Sequence, residues 1–578
     1  MEYRRKLERW LSYPFLDREL KEELEQIAAD EKEVYSRFSR ELTFGTGGIR
    51  GRMGAGSARL NIYIIRKVTA GLANYLHKTA GTSTPSVVIA YDTRHNSRRF
   101  AHETAAVLTC RGIKTWLFEE PVPTPLLSFA VRELGTSAGV VVTASHNPPA
   151  DNGYKVYGPD GGQITDALAR DITEQINLIK DELAIPVANL EEMEKIGLLE
   201  LVGQEMEEKY LDHLQKLRLV SSWWLQDQAP LPVKVVYTPL HGTGAAIIPR
   251  VLKKAGVTAL FPVAEQMKTD PNCPTVRNPN PEEWEVFDLA VALGKKKKAD
   301  LLLATDLDGD RLGAAVRNSS GNYIPLTGNQ LGCLMLDYIL ALKKERGELG
   351  DRDMIIQTIV TTAMGKAIAS YYGLEVVETL TGFKYIGEQI KKRVDSGQNV
   401  FLFGFEESYG YLIGTFVRDK DGVQAAQLAA EMVAFYNHRG VTVLEALEQL
   451  YRIHGYFREE LINITLDENK PGKLEQVMKY FRGNGLTQLG GKKVIQVDDY
   501  LEQVSISVSS GKRLPILLPS SNCLKFYLEN DAWFCVRPSG TEPKLKIYLG
   551  VREKSLEEAN TTLNILKEEV LAVVGKDR

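Results

Sequence analysis

Three times this chain drives an apolar, β-branched run straight into a short polar loop. Val140-Val141-Val142 stops at Thr143-Ala144-Ser145, Lys298–Thr305 empties into Asp306-Leu307-Asp308-Gly309-Asp310-Arg311, and Asn399–Phe403 empties into Gly404-Phe405-Glu406-Glu407-Ser408-Tyr409-Gly410. Short apolar runs bounded by turn residues read as buried strands. Helix-patterned segments lie between them, such as Ile62–Leu76, Leu126–Leu134, Ala245–Ala255 and Thr362–Tyr372. Strands alternating with helices predict largely parallel α/β sheets. The three units form a repeat of topology without close repetition of sequence. In such sheets ligands bind at strand ends, so the three polar loops are the first places to look for chemistry.

At 578 residues the chain exceeds what one hydrophobic core can organise. Residues 1–40 place Leu7, Trp10, Leu11, Leu20, Leu24 and Ile27 near helical spacing among charges, which predicts an amphipathic helical arm over the first domain. The three α/β units are assigned to residues 41–205, 206–320 and 321–450. Residues 165–218 read as a helical, acidic connector. From about 450 the strands alternate polar and apolar residues, as in Glu460–Thr465, so residues 451–578 are expected to form a smaller α+β domain. Its last helix opens on the capping box Ser555-x-x-Glu558.

Composition removes several function classes. A net charge of −4 gives no electrostatic case for nucleic acid or anionic membrane, and Lys295–Lys298 reads as a solvated helix end. No apolar run approaches the roughly 18 residues of a membrane span, and Met1–Lys6 has no secretory character. The five cysteines are scattered without a CxxC pair, which points to reduced thiols. A cytoplasmic protein, monomeric or weakly dimeric, is expected.

The loops carry distinct chemistries. Asp306, Asp308 and Asp310 alternate on a tight turn, where three carboxylates repel one another unless a cation sits among them. All-oxygen ligation by three protein groups suits Mg2+, and no glutamate follows at EF-hand spacing. Arg311 is placed to share a phosphate with that metal. Glu406 and Ser408 offer an acceptor and a hydroxyl suited to sugar hydroxyls. Arg537-Pro-Ser539-Gly540-Thr541 supplies a guanidinium, two hydroxyls and open backbone, the composition of a phosphate cradle. Phe44–Gly54 reads as a glycine-rich loop, and its Arg50 and Arg52 favour an anion. Ser145 is a weak nucleophile until a base or a metal activates it.

These motifs resemble the α-D-phosphohexomutase superfamily, which includes phosphoglucomutases, phosphomannomutases and phosphopentomutases. Thr143–Pro148, Asp306–Arg311, Gly404–Gly410 and Arg537–Thr541 match its four signatures in order. The resemblance implies three α/β domains with mixed sheets and a C-terminal α+β domain around a central cleft. It implies that Ser145 is the phosphoserine and that Asp306, Asp308 and Asp310 bind one Mg2+ together with it. Arg50, His146, Lys155 and Arg311 would line the transfer site, with Lys155 a general acid or base. Lys384, Glu406 and Ser408 would meet the sugar. Arg537, Ser539, Gly540 and Thr541 would hold the other phosphate, with Lys420 assisting there. Glucose 1,6-bisphosphate would be activator and intermediate. Tyr409-Gly410 resembles the glucose-type loop, whereas Phe44–Gly54 and the arm also resemble the phosphopentomutase branch. A metal-dependent phosphatase or a non-catalytic relative would be the readings from other classes.

Overall fold

The computed structural model describes residues 2–45, 47–219, 230–465, 472–483, 485–538 and 544–575. Three short helices, α1 (Glu2–Leu11), α2 (Arg18–Ile27) and α3 (Glu31–Phe38), form the N-terminal arm. Asp17 and Asp30 cap α2 and α3 by accepting backbone N–H bonds in the first turn. The apolar stripe Leu7, Trp10, Leu24, Val34 and Phe38 packs into the core around Tyr63 and Ile65 of α4 (Ile62–Thr79).

The first sheet holds β1 (Ile49–Arg52), β2 (Ser86–Tyr91), β3 (Lys114–Phe118), β4 (Ala138–Val142), β5 (Asp151–Tyr157) and β6 (Leu199–Val202) in the order β1-β5-β4-β2-β3-β6. Strands β4, β2, β3 and β6 run parallel, while β5 returns antiparallel beside β4 and β1 antiparallel beside β5. Two local expectations are therefore corrected. The glycine-rich segment is not loop throughout, because Ile49–Arg52 is an edge strand. The connector is not all helix, because β6 within it extends the sheet. Polar residues hide both from an apolar-run criterion, since each strand lies at or beside a sheet edge.

The second sheet holds β7 (Lys234–Thr238), β8 (Ala259–Pro262), β9 (Leu301–Thr305), β10 (Leu312–Arg317) and β11 (Tyr323–Leu326), ordered β11-β10-β9-β7-β8. The third holds β12 (Asp353–Thr358), β13 (Glu375–Thr379), β14 (Val400–Glu406) and β15 (Gly410–Leu412), ordered β13-β12-β14-β15. In all three sheets the strand bearing the polar loop is followed by an antiparallel return: β4 to β5, β9 to β10, β14 to β15. The sheets are mixed, as the resemblance implies: parallel strands gain an antiparallel return where each of these loops closes a hairpin. One left-handed residue turns each loop: Ser145 (φ 52°), Gly309 (φ 64°) and Tyr409 (φ 64°). For Ser145 and Tyr409 that conformation is strained, and surrounding contacts must hold it.

The C-terminal sheet holds β16 (Tyr456–Thr465), β17 (Gln488–Leu489), β18 (Lys492–Asp499), β19 (Val504–Ser507), β20 (Arg513–Pro515), β21 (Leu524–Leu528), β22 (Trp533–Pro538) and β23 (Lys544–Glu553). The closing helix Leu556–Gly575 buries Ala559, Leu563, Leu566 and Val570 against it. This domain docks on the third sheet's loops. Lys525 Nζ donates a 2.6 Å bond to the Ile359 carbonyl and lies over the Tyr527 and Trp533 rings. Tyr500, Trp533 and Tyr548 complete that seam with Ile359, Val360 and Leu380. Among the described residues no helix is long and apolar enough to cross a membrane.

Candidate active site

Ser145 sits one residue pair beyond β4, buried, with its hydroxyl aimed at the second sheet. Its Oγ donates a 2.7 Å hydrogen bond to Asp306 Oδ2, and His146 Nδ1 lies 3.3 Å from the same oxygen. The strained serine turn is clamped by Arg94, whose side chain is wholly buried. One guanidinium donates to four carbonyls of the turn: Nη1 to Pro148 (2.9 Å) and Asp151 (3.2 Å), Nη2 to Ser145 and Asn147. Asp92 backs it at 3.4 Å.

Asp306, Asp308 and Asp310 offer ligand oxygens that all lie within 4.8 Å of one another, and all three residues are fully buried. Asp306 Oδ1 accepts from the Asp310 and Arg311 amides at 3.1 Å each. Among the described residues none donates a hydrogen bond to Asp308 Oδ1 or Asp310 Oδ1. Buried acceptors left open in this way are costly, and hard oxygen donors so spaced fit a Mg2+ ion. Burial and the two neighbouring carboxylates push Asp306 well above the ordinary range. Burial also works to raise Asp308, but Lys155 and Lys420 outweigh it and hold that carboxyl below its usual value.

Lys155, on β5, reaches Asp308 Oδ2 at 3.2 Å and Asp310 Oδ2 at 3.7 Å. Thr124 Oγ1 donates to the same Asp308 oxygen at 3.0 Å, at the N-terminus of α6 (residues 124–134). Lys420 stands 2.8 Å from Asp310 Oδ2. The structure thus places its ammonium against the carboxylate trio, whereas the resemblance implies that it assists at the Arg537 phosphate site. Burial opposes its charge, yet Asp310, Asp419 and Glu406 raise its pKa. Arg311 turns its guanidinium onto Glu282. Arg50 donates to Asn147 Oδ1 at 2.9 Å. Burial, with the charges of Arg311 and Arg50, holds His146 well below its usual pKa, so the ring is neutral.

Glu406 ends β14, is buried, and is hydrogen-bonded to Ser408. Any side chain at Gly410 would strike Lys420 Cδ at 2.9 Å and Glu406 Oε1 at 3.0 Å, so that glycine leaves room for both side chains within the third domain. Lys384 opens the helix Phe383–Val394 and meets Asp166 Oδ1 at 3.3 Å across the domain boundary, while Tyr385 donates to Asp166 Oδ2 at 2.9 Å. Arg537 donates to Thr381 Oγ1. Ser539, Gly540 and Thr541 lie outside the described residues.

A cavity of about 1130 Å3 opens beside Arg50. Arg40, Arg50 and Arg52 line it from the first domain, Lys384 from the third, and Ser521, Arg537 and Lys546 from the fourth. Ser145, His146, Arg50, Lys155, the aspartates, Arg311, Lys420, Glu406 and Ser408 form one group, and Arg50 alone of them lines the cavity that Lys384 and Arg537 also line. Sequence reasoning missed Arg94, Thr124, Asp166 and Lys546. Arg94 sits just beyond β2, the same strand-end position as the three polar loops. Lys546 pairs directly with Arg537 across β23 and β22, which the lysine alternation of Lys544-Leu545-Lys546 hinted at.

A buried serine bonded to a carboxylate trio, beside a cavity walled by arginines and lysines, defines a multidomain α/β protein equipped to handle phosphate esters. The chain belongs to the phosphoglucomutase/phosphomannomutase family. Residues 41–182, 208–321 and 327–453 match its alpha/beta/alpha domains I, II and III, and residues 461–561 match its C-terminal domain. The phosphoglucomutase of Staphylococcus aureus (strain MSSA476) is 38% identical over 531 residues, 92% of this chain and 93% of that protein. The phosphoglucomutase of Staphylococcus haemolyticus (strain JCSC1435) is 37% identical over 525 residues, 90% and 92% of the two chains. The crystal structure of pp63/parafusin from Paramecium, in its open form, shares the fold with a TM-score of 0.67 at 17% identity, covering 93% of this chain and 95% of that one. A family protein from Burkholderia thailandensis does so with a TM-score of 0.64 at 17% identity, covering 92% and 97%.

Proposed function

We propose that the protein is a phosphoglucomutase, interconverting glucose 1-phosphate and glucose 6-phosphate through a phosphoserine at residue 145 and a glucose 1,6-bisphosphate intermediate. One observation carries this reading. The Ser145 hydroxyl rests on a metal-type carboxylate trio, and Arg50 beside it lines the same cavity as the cationic pair Arg537 and Lys546. A hydrolase needs one phosphate site; a mutase needs a place for the phosphate being transferred and another for the one that stays.

In the forward half-reaction a sugar hydroxyl attacks the Ser145 phosphoryl group in line. The new P–O bond forms on the sugar, the P–Oγ bond breaks, and the hydroxyl proton passes to a neighbouring base as Ser145 regains a proton. Lys155, 3.2 Å from Asp308, is the candidate proton carrier. A Mg2+ ion held by the aspartates and the serine phosphate, one per chain, would draw charge off the phosphoryl oxygens. Glu406 and Ser408 would orient the sugar through its hydroxyls, and Arg537 and Lys546 would hold the phosphate at the far end. The bisphosphate then turns over, and its other phosphate returns to Ser145.

The test is a comparison of initial rates on glucose 1-phosphate, mannose 1-phosphate and ribose 1-phosphate, with Mg2+ and a trace of glucose 1,6-bisphosphate. The highest kcat/KM on glucose 1-phosphate is expected. A preference for ribose 1-phosphate would make the enzyme a phosphopentomutase, and phosphate release outrunning isomerisation would make it a phosphatase.

A further inference from the structure

The domain 1 wall of the cavity carries more positive charge than two phosphate sites require. Arg40 at the end of the arm, Arg52 at the end of β1 and Arg59 all line it, beside the catalytic Arg50. Arg50 and Arg52 are two apart on one strand and so project from the same face. Among the described residues no carboxylate forms an ion pair with Arg40, Arg52 or Arg59, although the chain pairs most of its buried and half-buried arginines elsewhere. The nearby acids are committed. Glu41 is paired with Lys67 at 2.9 Å, Asp166 with Lys384, and Asp151, opposite Arg52 in the β1–β5 register, accepts from Asn147 Nδ2 at 2.9 Å. Arg59 is pinned by its bonds to Ser36; burial and then Arg37 lower its pKa, Glu33 opposes them, and Arg52 and Arg40 add smaller lowering effects. Three like charges lining one cavity, Arg59 held in place and Arg40 and Arg52 exposed, repel one another less when an anion sits among them.

We infer that Arg40, Arg52 and Arg59 form a third phosphate station, which holds the bisphosphate intermediate inside the cavity while it reverses. The inference rests on the mutase reading. During reversal neither phosphate occupies its catalytic berth, and the dianions would otherwise be exposed to solvent. Arg40 and Arg52 are exposed at the cavity surface and Arg59 is half-buried, a gradient of access suited to capture without permanent occupation. A phosphate dianion matches a guanidinium pair in geometry and charge.

The full chain is tested in two arms. On the Ser145→Ala background, which cannot transfer, equilibrium binding of glucose 1,6-bisphosphate is measured by calorimetry with and without Arg40→Ala and Arg52→Ala. Affinity should fall about tenfold in the triple variant, and the loss should shrink at high salt. With Ser145 intact, phosphoenzyme is mixed with glucose 1-phosphate in a single turnover. The fraction of label released as free bisphosphate should rise about tenfold in Arg40→Ala/Arg52→Ala, with the first transfer within twofold of the parent. Arg18→Ala, an exposed arginine on the arm away from the cavity, should change neither quantity. Unchanged affinity and unchanged release, with transfer intact, would overturn the station. Wild-type enzyme that never transfers phosphate would instead overturn the mutase reading, and the binding arm would still decide whether the arginines hold a phosphate.

Discussion

Ser145 Oγ and Asp306 Oδ2 are 2.7 Å apart, although 161 residues separate them in the chain. The hydrogen bond joins the hairpin loop of the first sheet to that of the second, so the nucleophile and the metal-type cluster are assembled by domain packing. Asp308→Asn should therefore lower kcat by about 10^3-fold while leaving the fold intact. In thermal unfolding Mg2+ should raise the Tm of the parent protein, because it relieves three buried carboxylates. The Asp308→Asn variant should lose most of that shift. An equal Mg2+ shift in both proteins would show that the ion binds elsewhere.

Arg94 should act as a positioning residue. Arg94→Lys can satisfy at most some of the four carbonyls, and the left-handed Ser145 turn would relax. The expected result is about a 100-fold loss in kcat with KM for glucose 1-phosphate changed less than threefold. Guanidine added to Arg94→Ala should restore part of kcat. A parallel loss in kcat and KM without such rescue would reduce Arg94 to a general stabiliser.

Lys546 and Arg537 face each other across β22 and β23 on the cavity wall. Burial, and then the charge of Arg537, lowers the Lys546 pKa. If both hold one phosphate, Lys546→Ala should raise KM about tenfold with little change in kcat. The double variant with Arg537→Ala should lose less than the sum of the two single effects. Additive losses would place the two cations on separate ligands.

Glu407 gives the fold a pH dependence of its own. Burial, reinforced by Glu406, pushes its pKa up to about 7, and Thr358 and Thr361 hydroxyls donate to it at 3.3 and 3.4 Å. The buried form is the neutral acid. Its contribution to stability is full below the ordinary glutamate pKa near 4.5 and is lost as pH rises through about 7. The Tm should decline across that window, by an amount equivalent to about 3 kcal/mol. Glu407→Gln should flatten the decline; an equally steep profile in the variant would assign the dependence to another group.

What the sequence revealed and what it concealed have a common cause. Strands β4, β9 and β14 are buried on both faces, so their apolar runs stand out, and so do the loops that end them. The return strands β5 and β10 and the edge strand β1 were not legible as such, because residues such as Lys155 and Arg50 put charge into strands that face the site. The contact of Lys420 with Asp310 was not legible, because its Asp-Lys-Asp-Gly segment says nothing about which loop it folds against. Asp166 needed the domains brought together before it met Lys384, and Lys546 needed the β22–β23 register that sets it beside Arg537. Chemistry carried on one loop was readable; chemistry shared between domains was not.

The central claim is that Ser145 carries the phosphoryl group. The most direct measurement is to incubate the enzyme with glucose 1,6-bisphosphate labelled in its phosphates, digest it, and map the label by mass spectrometry. The account predicts one phosphoryl group per chain, on the peptide containing Ser145, which chases into sugar when glucose 1-phosphate is added and is absent from Ser145→Ala. Label on a different residue, or full mutase activity in Ser145→Ala, would contradict it.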